Sequence, residues 1–168
     1  DWPALAPANY VPIREGGGAT KNGNGTAVAE IDLGDRKITT VALPPHTPGS
    51  TGYLDAENQM LFSGDALGTQ GNDAGLVLRE SLEAFAASLR NWRERTDGKY
   101  DVVYTAHNYQ WFTSPAYVDE VQQAVARGVA EGDRAFVAST RLPGARMIRS
   151  AGAADVVASV VVAPAAGR

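Results

Sequence analysis

From residue 26 to residue 63 apolar and polar positions alternate in short runs. Thr26 to Leu33 and Lys37 to Leu43 carry β-branched residues on either side of a Leu33-Gly34-Asp35-Arg36 turn, the pattern of two paired strands. Thr51 to Asp55 and Gln59 to Ser63 repeat it around an Ala-Glu-Asn turn. Between the pairs, Pro44-Pro45-His46-Thr47-Pro48-Gly49-Ser50 is excluded from regular structure, because its three prolines lack amide donors and fix φ. The period then lengthens. Ser81 can cap a helix to about Thr96, with Leu82, Phe85, Ala86, Leu89 and Trp92 on one face and Arg90, Arg93 and Arg95 on a solvated one. Lys99 to Ala106 is an apolar strand that stops at His107. Ser114 and Pro115 open a second helix to about Glu131, with Val118, Val121, Ala124, Val125 and Val129 inward. Arg146 to Arg149 and Val156 to Val162 close the pattern as strands, and residues 1–25, rich in Pro, Asn and Gly, are loop. The order reads as a loop segment, 1–25, followed by one α+β unit, 26–168.

Composition narrows what such a unit can do. The 168 residues are 44% hydrophobic and 20% charged, enough for a globular core. A net charge of −4, with no basic block, argues against nucleic acid and anionic membrane surfaces as partners. No apolar run reaches the roughly 18 residues of a membrane span. The absence of cysteine removes disulfide scaffolds, thiolate metal sites and thiol nucleophiles. The first residue is Asp1, which leads us to expect a preceding segment. The compartment stays open, with a lean to the periplasm or secretion from a bacterium.

Only His46 and His107 offer an imidazole. Both, like Asp65, directly follow an expected strand, where a chain leaves a sheet and side chains can converge on one edge. Two imidazoles and a carboxylate form a nitrogen and oxygen donor set suited to Zn, with Fe or Mn as alternatives. Spacings of 19 and 42 residues are too long for a local finger, so the fold has to bring the three together. Taken singly, each has a plainer role: His46 as a solvated histidine in a proline turn, Asp65 as a turn aspartate bonding amides, His107 as a capping or packed residue. Tyr109, Trp111 and Phe112 could line a pocket or pack over the sheet edge, and residues 71–75 could be a mobile loop near the metal residues or a plain connection.

The segments "PPHTPGSTGYLD" at 44–55, "LFSGDAL" at 61–67 and "VVYTAHN" at 102–108 resemble, in order and spacing, the second half of the metallo-β-lactamase superfamily. The resemblance covers roughly Ile31 to Gly132. It implies that His46 completes one metal site, that Asp65 bridges two metals and serves catalysis, and that His107 completes the second site. It implies up to two Zn ions in the complete protein and hydrolysis of a small-molecule ester, thioester, lactone or lactam by a metal-activated water. The first-half signature His-x-His-x-Asp-His is absent, and Asn108-Tyr109 stand where glycine is more usual. The implied fold is a four-layer αββα sandwich, of which this chain supplies mainly the C-terminal sheet and helices. A bare inner sheet face would need a cover, so the N-terminal half of the same protein, or self-association, is the expected partner. A non-catalytic binding module that keeps the fold without a complete metal site is the alternative.

Overall fold

Lys37, Thr51 and Arg146 each open a strand, as the alternation of the sequence leads one to expect. A computed structural model describes residues 29–43, 46–47, 50–68, 76–79, 81–106, 112–139, 143–150 and 159–162. Residues 1–25, the Gly71–Gly75 connection, and residues 107–111 with His107 among them therefore lie outside the described residues. The chain order is β1 (Ala29–Asp32), β2 (Lys37–Ala42), β3 (Thr51–Asp55), β4 (Met60–Gly64), β5 (Leu76–Leu78), α1 (Leu82–Thr96), β6 (Val102–Thr105), β7 (Phe112–Thr113), α2 (Pro115–Glu131), a 3-10 turn (Gly132–Ala135), β8 (Val137–Ala138), β9 (Arg146–Arg149) and β10 (Ser159–Val162). The architecture is α+β, as expected.

Six strands form one sheet in the order β1-β2-β3-β4-β6-β7. The first four are an antiparallel meander, and β6 then joins β4 in parallel after the crossover through α1. Hence β2, β4 and β6 all run in one direction. The period-2 alternation splits this sheet into two faces. Val41, Leu54, Leu61 and Val103 are buried on the side where Trp92 of α1 closes over Gly52. Tyr53, Phe62 and Tyr104, registered in one row across β3, β4 and β6, share the other side. Phe62 stacks on Tyr104 at 4.8 Å between centroids and stays 40% exposed.

Four further strands form a second sheet in the order β5-β10-β9-β8. Its parallel β5–β10 pair joins residues more than eighty positions apart, a pairing that local pattern does not announce. Leu76, Leu78 and Ile148 from this sheet enter the same core as the helices.

Both helices start where the sequence places them. Ser81 caps α1 by accepting the Ala84 amide, at 3.2 Å. Ser114 flanks α2 in extended backbone with Pro115 at the first helical position, but its side chain makes no cap bond. Two details differ from expectation. Val129 is 44% exposed: it lies at the margin of the apolar stripe on the last turn, and Gly128 takes the contact with Ile148 and Leu82 instead. Arg93 is not simply solvated: it pairs with Asp97 at the end of its own helix and reaches α2 through an ion pair to Asp119, both at 2.7 Å, and a bond to Gln122. No described helix is long and apolar enough to cross a membrane.

Candidate metal site at the carboxyl ends of the strands

Because β2, β4 and β6 are parallel to one another, the segments that leave their carboxyl ends emerge at one edge of the sheet. His46 follows β2, Asp65 follows β4, and Thr105, two residues before His107, ends β6. The edge is set by topology, not by sequence proximity. His107 itself lies outside the described residues, and among the described residues no three His, Asp or Glu side chains group closely enough to hold a metal.

The turn bearing His46 is locked internally. Leu43 donates its amide to the Ser50 carbonyl at 2.9 Å, and Ser50 donates to the Thr47 carbonyl at 3.0 Å. The Thr47 amide reaches Ser50 Oγ at 3.1 Å, and the two hydroxyls lie 3.0 Å apart. His46 is half-buried, with Nδ1 at 2.9 Å from the carbonyl oxygen of Val77 in β5. A carbonyl only accepts, so the proton is on Nδ1, and a neutral ring keeps its lone pair on Nε2. That is the state in which a histidine ligates a metal.

Asp65 follows a bend that needs Gly64 at φ +52°, in the left-handed region that favours glycine. The Ala66 amide bonds the Ser63 carbonyl at 3.0 Å, and the Gly68 amide bonds that of Asp65 at 3.1 Å. Ala66 and Leu67 are buried and act as anchors, leaving Asp65 half-buried at the edge. From α2, Tyr117 Oη donates to the Leu67 carbonyl at 2.8 Å. Burial pushes the Tyr117 phenol above the ordinary tyrosine range, so it stays a donor at any physiological pH. The Ser63 hydroxyl donates to the Tyr104 carbonyl at 3.2 Å and Ala106 donates to the Gly64 carbonyl at 3.3 Å, which ties the end of β4 to the end of β6.

Sequence reasoning singled out His46 and Asp65 but missed Tyr117 and Val77. The Leu76-Val77-Leu78 run is the one signal that could have found β5. Phe112 falls in β7, next to Tyr104 in register.

The sequence model of the metallo-beta-lactamase superfamily matches residues 23–107, half of the chain. The chain belongs to the metallo-beta-lactamase superfamily. This superfamily includes hydrolases, and its members generally bind metal ions, usually zinc. No curated protein sequence matches the chain. Among solved structures it is similar to a metallo-beta-lactamase from Pontibacter korlensis, at 12% identity over 60% of this chain and 46% of that one, with a TM-score of 0.47. It is also similar to a metallo-beta-lactamase family protein from Thermus thermophilus, at 20% identity over 75% and 36%, TM-score 0.46. ETHE1 from Myxococcus xanthus matches at 28% identity over 64% and 50%, TM-score 0.44. The chain thus spans half or less of the length of these structures, and its family assignment rests on the sequence match.

Proposed function

We propose that the chain carries the second-half ligands of a metal-dependent hydrolase acting on a small ester, thioester, lactone or lactam. The observation that carries this reading is His46, which is held through Nδ1 with Nε2 left to ligate, at the sheet edge where Asp65 also emerges. In this reading His46, Asp65 and His107 would hold the metal. The donor set fits a borderline cation, and zinc suits it best, with Fe or Mn as alternatives. A zinc ion supplies Lewis acidity toward the scissile carbonyl and activates water near neutral pH. The residues of this chain orient and hold. His46 is fixed by Val77 and is not free to shuttle a proton, and Asp65 is presented by a turn whose backbone is pinned from α2.

Three ligands do not satisfy two ions of four or five coordination, so the remaining ligands come from elsewhere. We propose the N-terminal half of the superfamily domain as their source. The half-exposed row of Tyr53, Phe62 and Tyr104 supports this, because it presents the face opposite the helices for a second layer to cover. Association of two copies is the competing outcome.

The test is zinc content by mass spectrometry, and hydrolysis of ester, thioester, lactone and lactam probes, for the chain with and without a superfamily first half. Stoichiometric zinc and turnover in the combined protein are expected. A metal-free, inactive combined protein would overturn the reading in favour of a binding module.

A further inference from the structure

We infer that β5 is a strut that sets the imidazole of His46, with the Val77 carbonyl as the positioning group and Gly68 as the residue that lets β5 sit where that carbonyl works. Only the consequence for metal binding rests on the function proposed above; the geometry is independent of it.

The contact from Nδ1 of His46 to the Val77 carbonyl spans 31 positions of sequence, so it exists only if β5 is placed correctly. Two restraints place it. Leu76 and Leu78 are 1% and 2% exposed in the main core, which fixes the side-chain face of β5, and β10 pairs along its length. The second restraint is the turn after Asp65. Gly68 has φ +71°, and a Cβ there would collide with the backbone amide nitrogen of Leu76 and stand 2.6 Å from its Cα. These are main-chain atoms and cannot swing aside as a side-chain tip would. The backbone after Asp65 therefore touches the backbone of β5, and the next residue of β5 holds His46. A glycine three positions from Asp65 couples the Asp65 turn to the ring of His46, although Gly68 lacks any group that could ligate.

The consequence is a defined tautomer before any metal arrives. A histidine in water exchanges between its two neutral forms, whereas His46 bound to a carbonyl keeps the Nδ1–H form. Shifting β5 outward releases it.

The measurement is a long-range proton–nitrogen NMR spectrum of the 15N-labelled chain, with chelator present, at a pH where imidazole is neutral. The chain has two histidines, and His107→Gln assigns the signals. We expect His46 with a protonated Nδ1 and an unprotonated Nε2. An Nε2–H form, or the averaged signal of a solvated histidine, overturns the inference, and this arm needs no change at the strut. Gly68→Ala is then expected to shift His46 toward the averaged signal and to weaken zinc binding by about 10- to 100-fold, the range typical of outer groups that orient a ligand. Circular dichroism and tryptophan fluorescence report whether that variant folds. A folded Gly68→Ala chain with an unchanged tautomer removes Gly68 from the strut. If His46 shows the Nδ1–H form but the combined protein binds no zinc, the metal reading fails and the strut stands. Zinc binding with an Nε2–H form keeps the metal reading and overturns the strut.

Discussion

At the amino ends of β2, β4 and β6 the first sheet is closed by Asp55, and at their carboxyl ends by the turn that carries Asp65. Asp55 is 2% exposed and looks the more conspicuous of the two. Its carboxylate accepts the Asn58 amide at 3.1 Å, the Asn58 side-chain nitrogen at 2.9 Å and an Arg36 nitrogen at 3.2 Å. It therefore clasps the β3–β4 turn to the β1–β2 turn, and two of its three donors come from Asn58 in its own turn. Asp65 sits on a turn pinned from a distance, by Tyr117 of α2 and by the contact of Gly68 with β5. Burial does not separate the two carboxylates by role. The direction of the strands separates them, since the turns of His46 and Asp65, the ligands proposed above, leave at carboxyl ends and the Asp55 turn occupies the other edge.

The sharpest way to break this contrast is to exchange the phenotypes of the two ends. His46→Ala and Asp65→Asn are each expected to weaken zinc binding by more than about 100-fold, beyond the loss typical of outer groups, while the unfolding midpoint stays near that of the parent. Asp55→Asn should do the reverse, leaving zinc affinity unchanged and lowering the urea midpoint. Competition with a chromophoric chelator and urea titration give both readings on the same samples. Equal zinc loss at Asp55 would erase the distinction.

A smaller effect is expected at Tyr117. Tyr117→Phe keeps the ring in the core and deletes one hydroxyl, leaving the Leu67 carbonyl buried without its donor, at a cost of about 1–3 kcal/mol. Urea unfolding measures it. A cost near zero would mean that the Asp65 turn does not depend on α2.

How far the two ends could be told apart from the sequence follows from the range of the interactions. The spacing of Thr51 to Asp55 and Arg146 to Arg149 gave those strands their observed bounds, and Ser81 and Pro115 marked the helix starts, because caps and alternation are local. Asp65 and His46 were legible through the turns that carry them. Val77 was not: it acts through its main chain, which any residue shares, and its strand pairs with β10 far along the chain. Gly68 was also silent, as one glycine among eighteen. Val129 was misplaced because the stripe passes near it, while the space is filled by Ile148 and Leu82 reaching toward Gly128.

The Asp55 end has a pH signature. The Asn58 side chain, then the Asn58 amide and Arg36, hold the Asp55 carboxyl below the ordinary carboxylate value. A group whose value is lower in the folded state than in the unfolded one stabilises the fold above the unfolded value, about 3.9, and loses that contribution as pH falls through the folded value. Acid unfolding of the parent should therefore steepen below about pH 4, and Asn58→Ala should move the acid midpoint upward by removing the largest cause. An unchanged acid limb in Asn58→Ala would remove the clasp as its source.

The smallest effect supplies the baseline. Arg127 and Glu131 pair at 3.2 Å on the outer surface of α2, one turn apart, with side chains 42% and 43% exposed. Water screens such a pair, and holding two long side chains together costs rotamer freedom, so helix pairs of this spacing contribute only about 0.3–0.5 kcal/mol. Arg127→Ala should shift the urea midpoint barely beyond error and leave zinc affinity alone. It removes a charge from the helix that pins the Asp65 turn, yet touches neither Tyr117 nor the core. If it weakened zinc binding as Gly68→Ala is expected to, the coupling would run through the charge of α2 at large rather than through the contact between Gly68 and β5.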